Sequence, residues 1–158
     1  YTAGLSFNKK EIIDKKIKLV KSNRGGKITL HNPGQKIIYF VIDLNKRKRD
    51  IRKFINSIEK SIIQFLKSYK IQSKKDKKNI GIWVKDKKIA AIGIRVSRWV
   101  AYHGCSINIS NNLNQYLKII PCGLDNKKVT SISKIISIKP KNFESNLANI
   151  FIKNINNI

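Results

Sequence analysis

Between Asp50 and Tyr69 the apolar residues Ile51, Phe54, Ile55, Ile58, Ile62, Phe65, Leu66 and Tyr69 recur every third or fourth position, which is the spacing of one face of an α-helix. Asp50 stands where an N-cap belongs. A helix with a single apolar stripe must lie against something, and the flanking segments read as strands. Lys27 to His31 alternates polar with apolar, placing Thr29 and His31 on one face. The turn Asn32-Pro33-Gly34 follows, then Gln35 to Leu44, rich in β-branched residues. Ile80 to Val84 and Lys88 to Val96 read as a hairpin about Asp86-Lys87, and Val100 to Ile109 as a further strand. Leu113 to Ile120 reads as a short helical or irregular lead into Pro121. Phe143 to Ile158 fits a second amphipathic helix with Phe143, Leu147, Ile150 and Phe151 inward. Residues 1 to 23 read as a polar approach segment, opened by the tail of a strand at Tyr1 to Gly4. Ser73 to Asn79 reads as a solvated, mobile lysine-rich loop. The expected fold class is α+β: a mixed, largely antiparallel sheet with helices packed on it. The expected organisation is one catalytic domain over residues 1–158.

Composition narrows the function. The chain carries 34 Lys+Arg against 9 Asp+Glu, which suits a phosphate backbone or an acidic protein partner. The excess is nearly all lysine, whereas arginine is the usual base reader. Lysine, isoleucine and asparagine, all with A/T-rich codons, together fill 75 of 158 positions. No nucleic-acid partner is therefore expected. The longest apolar run, Ile37 to Ile42, is far short of a membrane span, and no signal segment opens the chain. No membrane association and a cytoplasmic location are expected. Two cysteines and two histidines without metal-ligand spacing predict no metal site. The chain contains no methionine, so an N-terminal part of the domain is expected to be missing.

Three segments carry candidate chemistry. Pro121-Cys122-Gly123 sets a thiol between a fixed and a permissive backbone; Cys122 is a nucleophile or a buried structural cysteine. Lys88, at the head of Lys88-Ile89-Ala90-Ala91-Ile92-Gly93, shares by strand alternation a face with Ala90 and Ile92. Partial desolvation there would let it act as acid or base, unless it is a solvated strand end. Arg24-Gly25-Gly26 offers a backbone able to approach a ligand closely. His31 is a polar contact at the site or a strand-face structural residue. His103-Gly104 repeats the pattern, and Cys105 reads as a structural cysteine.

Taken in order, Tyr1-Thr2-Ala3-Gly4, Arg24 to Gln35 (RGGKITLHNPGQ), Gly81 to Arg98 (GIWVKDKKIAAIGIRVSR), His103-Gly104, Pro121-Cys122-Gly123 and Val129-Thr130-Ser131 resemble the lipoyl(octanoyl) transferases, the octanoyl-acyl carrier protein:protein N-octanoyltransferases of lipoate biosynthesis. The resemblance implies a biotin/lipoate protein ligase-like fold, with about fifty further residues before the Tyr-Thr-x-Gly stretch. It also implies an acyltransferase that moves an octanoyl group from octanoyl-acyl carrier protein to a lysine of a lipoyl domain. The acceptors would be lipoyl domains of 2-oxoacid dehydrogenase complexes and the glycine cleavage H protein. Carried over position by position, Cys122 takes the acyl group and Lys88 is its acid/base partner. Arg24, Gly25, Gly26, Lys27, Ile28, Thr29, Leu30 and His31 form the substrate-binding loop. Ala91, Ile92, Gly93, Gly104, Cys105 and Ser106 form the other walls. Cys105 departs from the Phe or Leu usual after His-Gly. No cofactor is implied, since the thioester arrives activated. The alternatives are a lipoate- or biotin-ligase relative that uses ATP, and a basic nucleic-acid-binding module.

Overall fold

The computed structural model describes residues 1–76, 79–121, 129–137 and 143–158. Ten regular elements follow in order: β1 (Thr2–Ala3), β2 (Val20–Lys21), β3 (Ile28–Thr29), β4 (Gln35–Asp43), α1 (Ile51–Ser68), β5 (Lys74–Lys75), β6 (Ile82–Val84), β7 (Lys87–Ser97), β8 (Val100–Asn108) and α2 (Phe143–Asn156). They build two sheets. The larger is antiparallel, ordered β4-β8-β7-β6-β5, and the smaller is mixed, ordered β2-β1-β3. The expected α+β class, with a largely antiparallel sheet and helices packed on it, is the one observed.

The helical stripe folds as its spacing dictates. Asp50 caps α1 by accepting from the Lys53 N–H at 2.8 Å. Phe54, Ile58, Ile62, Phe65 and Leu66 are wholly buried, while Ile51 at the first turn stays exposed. Ser57 and Ser61 are also buried, their hydroxyls donating to the carbonyls of Phe54 and Ser57, so neither is an unsatisfied polar group. Phe40 of β4 joins the layers: its ring meets Phe54 of α1 edge-on at 5.9 Å and Phe151 of α2 at 5.6 Å. Leu147, Phe151 and Ile155 bury α2 against the same core. Asn154 of α2 donates to Ser61 of α1. A second, smaller core gathers Ile28, Leu30, Tyr116 and Ile119 under the small sheet.

Three local expectations are corrected. Residues 74–75, expected in a mobile loop, form β5 and pair with β6. The approach segment contains β2, which runs parallel to β1, and a 3-10 turn at Lys9–Glu11 capped by Asn8. Most consequential, the hairpin turns at Lys85-Asp86, with Lys85 at φ 55°, and a bulge interrupts β6–β7. Ile82 pairs with Ala90 and Trp83 with Lys88, leaving Ile89 as the extra residue. The bulge breaks the alternation that would put Lys88 beside Ala90 and Ile92. Ile89 and Ala90 both enter the main core, and Lys88 turns instead to the face shared with Ala91 and Gly93. Among the described residues no helix is long and apolar enough to cross a membrane.

Candidate active site

One face of the large sheet packs against α1 and α2. The other is the floor of a cavity of about 580 Å³. The ladder sets this floor in rows: Ile37, Ser106 and Ala91 in one, Tyr39, Gly104 and Gly93 in the next. Two glycines abreast leave the floor low at its centre. Gly104 has no room for more, because a Cβ there would lie 1.8 Å from the Ile38 carbonyl oxygen.

The rim is the loop that enters β3. Gly25 donates its N–H to the Ile94 carbonyl at 3.1 Å, an approach open to glycine, since a Cβ would sit 2.8 Å from that oxygen. Gly26 takes φ +86°. The Arg24 guanidinium folds back on its own loop. It donates to the Thr2 carbonyl at 2.7 Å, to Thr2 Oγ1 at 3.0 Å and to the Gly25 carbonyl at 3.0 Å. Arg24 therefore fixes the loop to β1. Gly4 donates to the Lys27 carbonyl and Ser6 to the Gly26 carbonyl, so the Tyr-Thr-x-Gly stretch clamps the same loop.

Of the predicted site residues, Arg24, Gly25, Gly26, Lys27, Ile28, Thr29, His31, Lys88, Ala91, Ile92, Gly93, Gly104, Cys105 and Ser106 all line this cavity. Leu30 does not; it is buried with Tyr116 and Ile119 in the smaller core. Cys122 and Gly123 lie outside the described residues. The sequence reading missed Tyr39 and Ile37, which complete the floor from β4. Their alternation in Gln35 to Leu44 is visible, but which face it turns to the cavity is not.

Lys88 is the buried cation of the site, 6% exposed. Its ammonium donates to the Ile80 carbonyl at 3.0 Å and lies 5.0 Å from the Trp83 ring centroid. Its backbone carbonyl accepts from Thr130 N–H at 2.9 Å, and Lys88 pairs with Val129 in a parallel bridge. Pro121 and Val129, the described residues flanking 122–128, both border a pocket of about 10 Å³ that Lys88 also borders.

Polar side chains order the remaining wall. Gln35 accepts from His31 Nδ1 at 2.9 Å, which places the proton of a neutral His31 on Nδ1. The Gln35 amide donates to Asn108 Oδ1 at 2.8 Å and to the Tyr116 hydroxyl at 3.0 Å. Asn108 in turn donates to the Thr130 carbonyl at 3.0 Å. His103 adopts φ 65° and pairs through Nε2 with Asn23 Oδ1. Burial, then the neighbouring charges of Arg24 and Arg95, holds its pKa below the ordinary histidine value. Cys105 is 5% exposed and belongs to the main core, where burial pushes its thiol pKa far up. It borders the cavity as a buried, protonated thiol.

The chain is similar to known proteins in sequence and in fold. The family described as the lipoyl protein ligase A/B catalytic domain matches residues 2–152. An octanoyltransferase of Bartonella tribocorum is 43% identical over 145 residues, covering 83% of this chain and 59% of that protein. An octanoyltransferase of Wolbachia pipientis subsp. Culex pipiens is 46% identical over 140 residues, covering 85% and 68%. The chain thus spans about three fifths of the Bartonella relative's length. Among solved structures, a lipoate-protein ligase A bound with ATP superposes with a TM-score of 0.76 at 12% identity, covering 98% of this chain and 68% of that one. The fold is thus that of the lipoate ligases, as the sequence predicted. By matched length and by identity to these relatives, the chain belongs to the lipoyl protein ligase A/B catalytic domain family.

Proposed function

We propose that the chain is the acyl-transferring part of an octanoyltransferase, taking an octanoyl group from octanoyl-acyl carrier protein and placing it on a lysine of a lipoyl domain through a Cys122 thioester. The observation that carries this reading is the bulge-directed burial of Lys88 in an apolar, glycine-floored cavity, beside the residues that flank 122–128. The relatives' name supplies the acyl group.

In the first step Lys88 acts as the base that accepts the Cys122 proton. The thiolate attacks the octanoyl carbonyl carbon, a new C–S bond forms, and the bond to the carrier's pantetheine sulfur breaks. The departing thiolate takes the proton back from the Lys88 ammonium. In the second step the target lysine amine attacks the Cys122 thioester, an amide forms and the C–S bond breaks; the proton shed by the attacking nitrogen passes by way of Lys88 to the departing Cys122 thiolate, which restores the thiol. Ile37, Tyr39, Ala91 and Ile92 supply apolar wall for an acyl chain. The +25 charge of the chain favours encounter with acidic carrier and acceptor domains.

The test is intact-mass analysis after incubation with octanoyl-acyl carrier protein, with no ATP. One octanoyl adduct that maps to Cys122, and is lost on adding lipoyl domain, is expected. An adduct that requires ATP would favour the second reading, an acid-activating ligase, for which the ATP-bound structure of similar fold is the motivating observation.

A further inference from the structure

We propose that Glu11 is a positioning residue that holds two walls of the site in register: the binding loop through its side chain and the lead into Pro121 through its backbone. The inference rests on the transferase reading for its consequence in activity, though not for the contact itself.

Glu11 lies in the 3-10 turn Lys9–Glu11 and is 4% exposed. Its Oε2 accepts the Ile28 N–H at 3.3 Å, and its Oε1 is 3.2 Å from Lys27 Nζ, an ion pair by distance. Lys27 and Ile28 line the cavity. The Glu11 carbonyl accepts the Ile120 N–H at 2.7 Å. Ile12 then bridges Ile119, and the N–H groups of Ile13 and Asp14 both donate to the Lys118 carbonyl. One residue thus touches segments that begin 16 positions and 109 positions away along the chain. The second of these segments ends at Pro121, directly before Cys122.

A carboxylate is a costly choice for a buried joint. Taken from water it must be fully paired, and apolar side chains could fuse two loops with less expense in desolvation. What the carboxylate adds is direction: a fixed acceptor for one amide through Oε2, with the Lys27 ammonium paired to Oε1 by charge. Ile28 itself is 1% exposed, so its N–H has no water to fall back on when the acceptor is removed.

The experiment compares Glu11→Ala with Glu11→Gln in the full chain. Glutamine keeps a neutral acceptor for Ile28 and the backbone bond to Ile120, and gives up only the charge. Amide exchange at Ile28 is expected to quicken at least tenfold in the alanine variant and to stay within threefold of wild type in the glutamine variant, with the Ile107 amide unchanged in both. Single-turnover acylation by octanoyl-acyl carrier protein at saturation should slow about tenfold in Glu11→Ala and recover to within threefold in Glu11→Gln. Unchanged Ile28 exchange in Glu11→Ala overturns the clamp. Quickened exchange with an unchanged acylation rate, whatever the loss of thermal stability, overturns the positioning role. A wild-type chain that accepts no octanoyl group sinks the transferase reading alone, and Ile28 exchange still decides whether Glu11 clamps the loop.

Discussion

Lys88 and Trp83 are partners across the β6–β7 ladder, and the ammonium of the first lies 5.0 Å from the ring centroid of the second. The pairing exists because Ile89 bulges out of register and lets Lys88 turn to the cavity. Trp83 is itself held, its indole N–H donating to the Asn79 carbonyl at 3.1 Å. The ammonium is thus largely withdrawn from water yet given a π face and a carbonyl, which fix its direction.

Lys88→Ala should lower acyl transfer by at least about a hundredfold, the usual worth of a positioned acid/base. Lys87→Ala, at an exposed position one residue away, should stay within about twofold. Steady-state transfer to a lipoyl domain measures both. Equal losses would refute the role given to Lys88.

The paired glycines of the floor should fail in different ways. In Gly104→Ala the new Cβ would meet the Ile38 carbonyl at 1.8 Å, a clash with backbone that parts β4 from β8. A loss of at least ~3 kcal/mol is expected, read as a drop in the urea midpoint. In Gly93→Ala the Cβ meets Arg24 Cδ and the Gly25 carbonyl, each at 3.1 Å, and the side chain can yield. Stability should fall by only ~1 kcal/mol, while KM for the acyl donor rises several-fold because the methyl enters the cavity. A variant Gly93→Ala with unaltered KM would show that the acyl chain lies elsewhere.

The sequence made the large elements legible because their signals are periodic. The stripe read between Asp50 and Tyr69 is α1 to within a residue at each end, and the β-branched run from Gln35 is β4. What escaped was aperiodic. A bulge is one residue of mismatch between two strands, and neither Ile82-Trp83 nor Lys88-Ile89-Ala90 announces it, so alternation assigned Lys88 the wrong companions. Strands of two residues, such as β2 and β5, are too short to show a period of two. Glu11 escaped for a further reason: in a lysine-rich segment an acid reads as solvated, and only the distant Ile28 and Ile120 make it a joint. The candidate site was legible where residue types are unusual, at Gly25, Gly26, Gly93 and Gly104, and not where ordinary residues such as Tyr39 take a place by register. The assignment of Leu30 to the site followed from its position in a motif, whereas its apolar side chain found the smaller core.

The two cysteines should separate by reactivity. Burial raises the Cys105 pKa, so that thiol is protonated at neutral pH and shielded from reagent. Iodoacetamide at pH 7.5 is expected to leave Cys105 unmodified in the native chain and to label it in 6 M (about the usual strongly denaturing level) guanidinium. Peptide mapping reads both states. Native labelling of Cys105 at the rate of a free thiol would contradict its burial in the core.

Protonation of His103 should oppose folding. Burial comes first and the charges of Arg24 and Arg95 second in holding its folded pKa below the ordinary value near 6.5. The unfolded chain therefore binds that proton at a higher pH than the folded one does. The stability that neutral His103 contributes is complete above the unfolded value and is lost as pH falls through it toward the folded value. The urea midpoint should accordingly decline between about pH 7.5 and 5.5, above the range in which most carboxylates titrate. In His103→Asn, chosen because asparagine tolerates the φ of 65°, the decline should be shallower. His31 contributes in the same direction, its pKa lowered first by burial, so some slope should remain. An identical decline in the variant and the wild type would mean that His103 carries none of it.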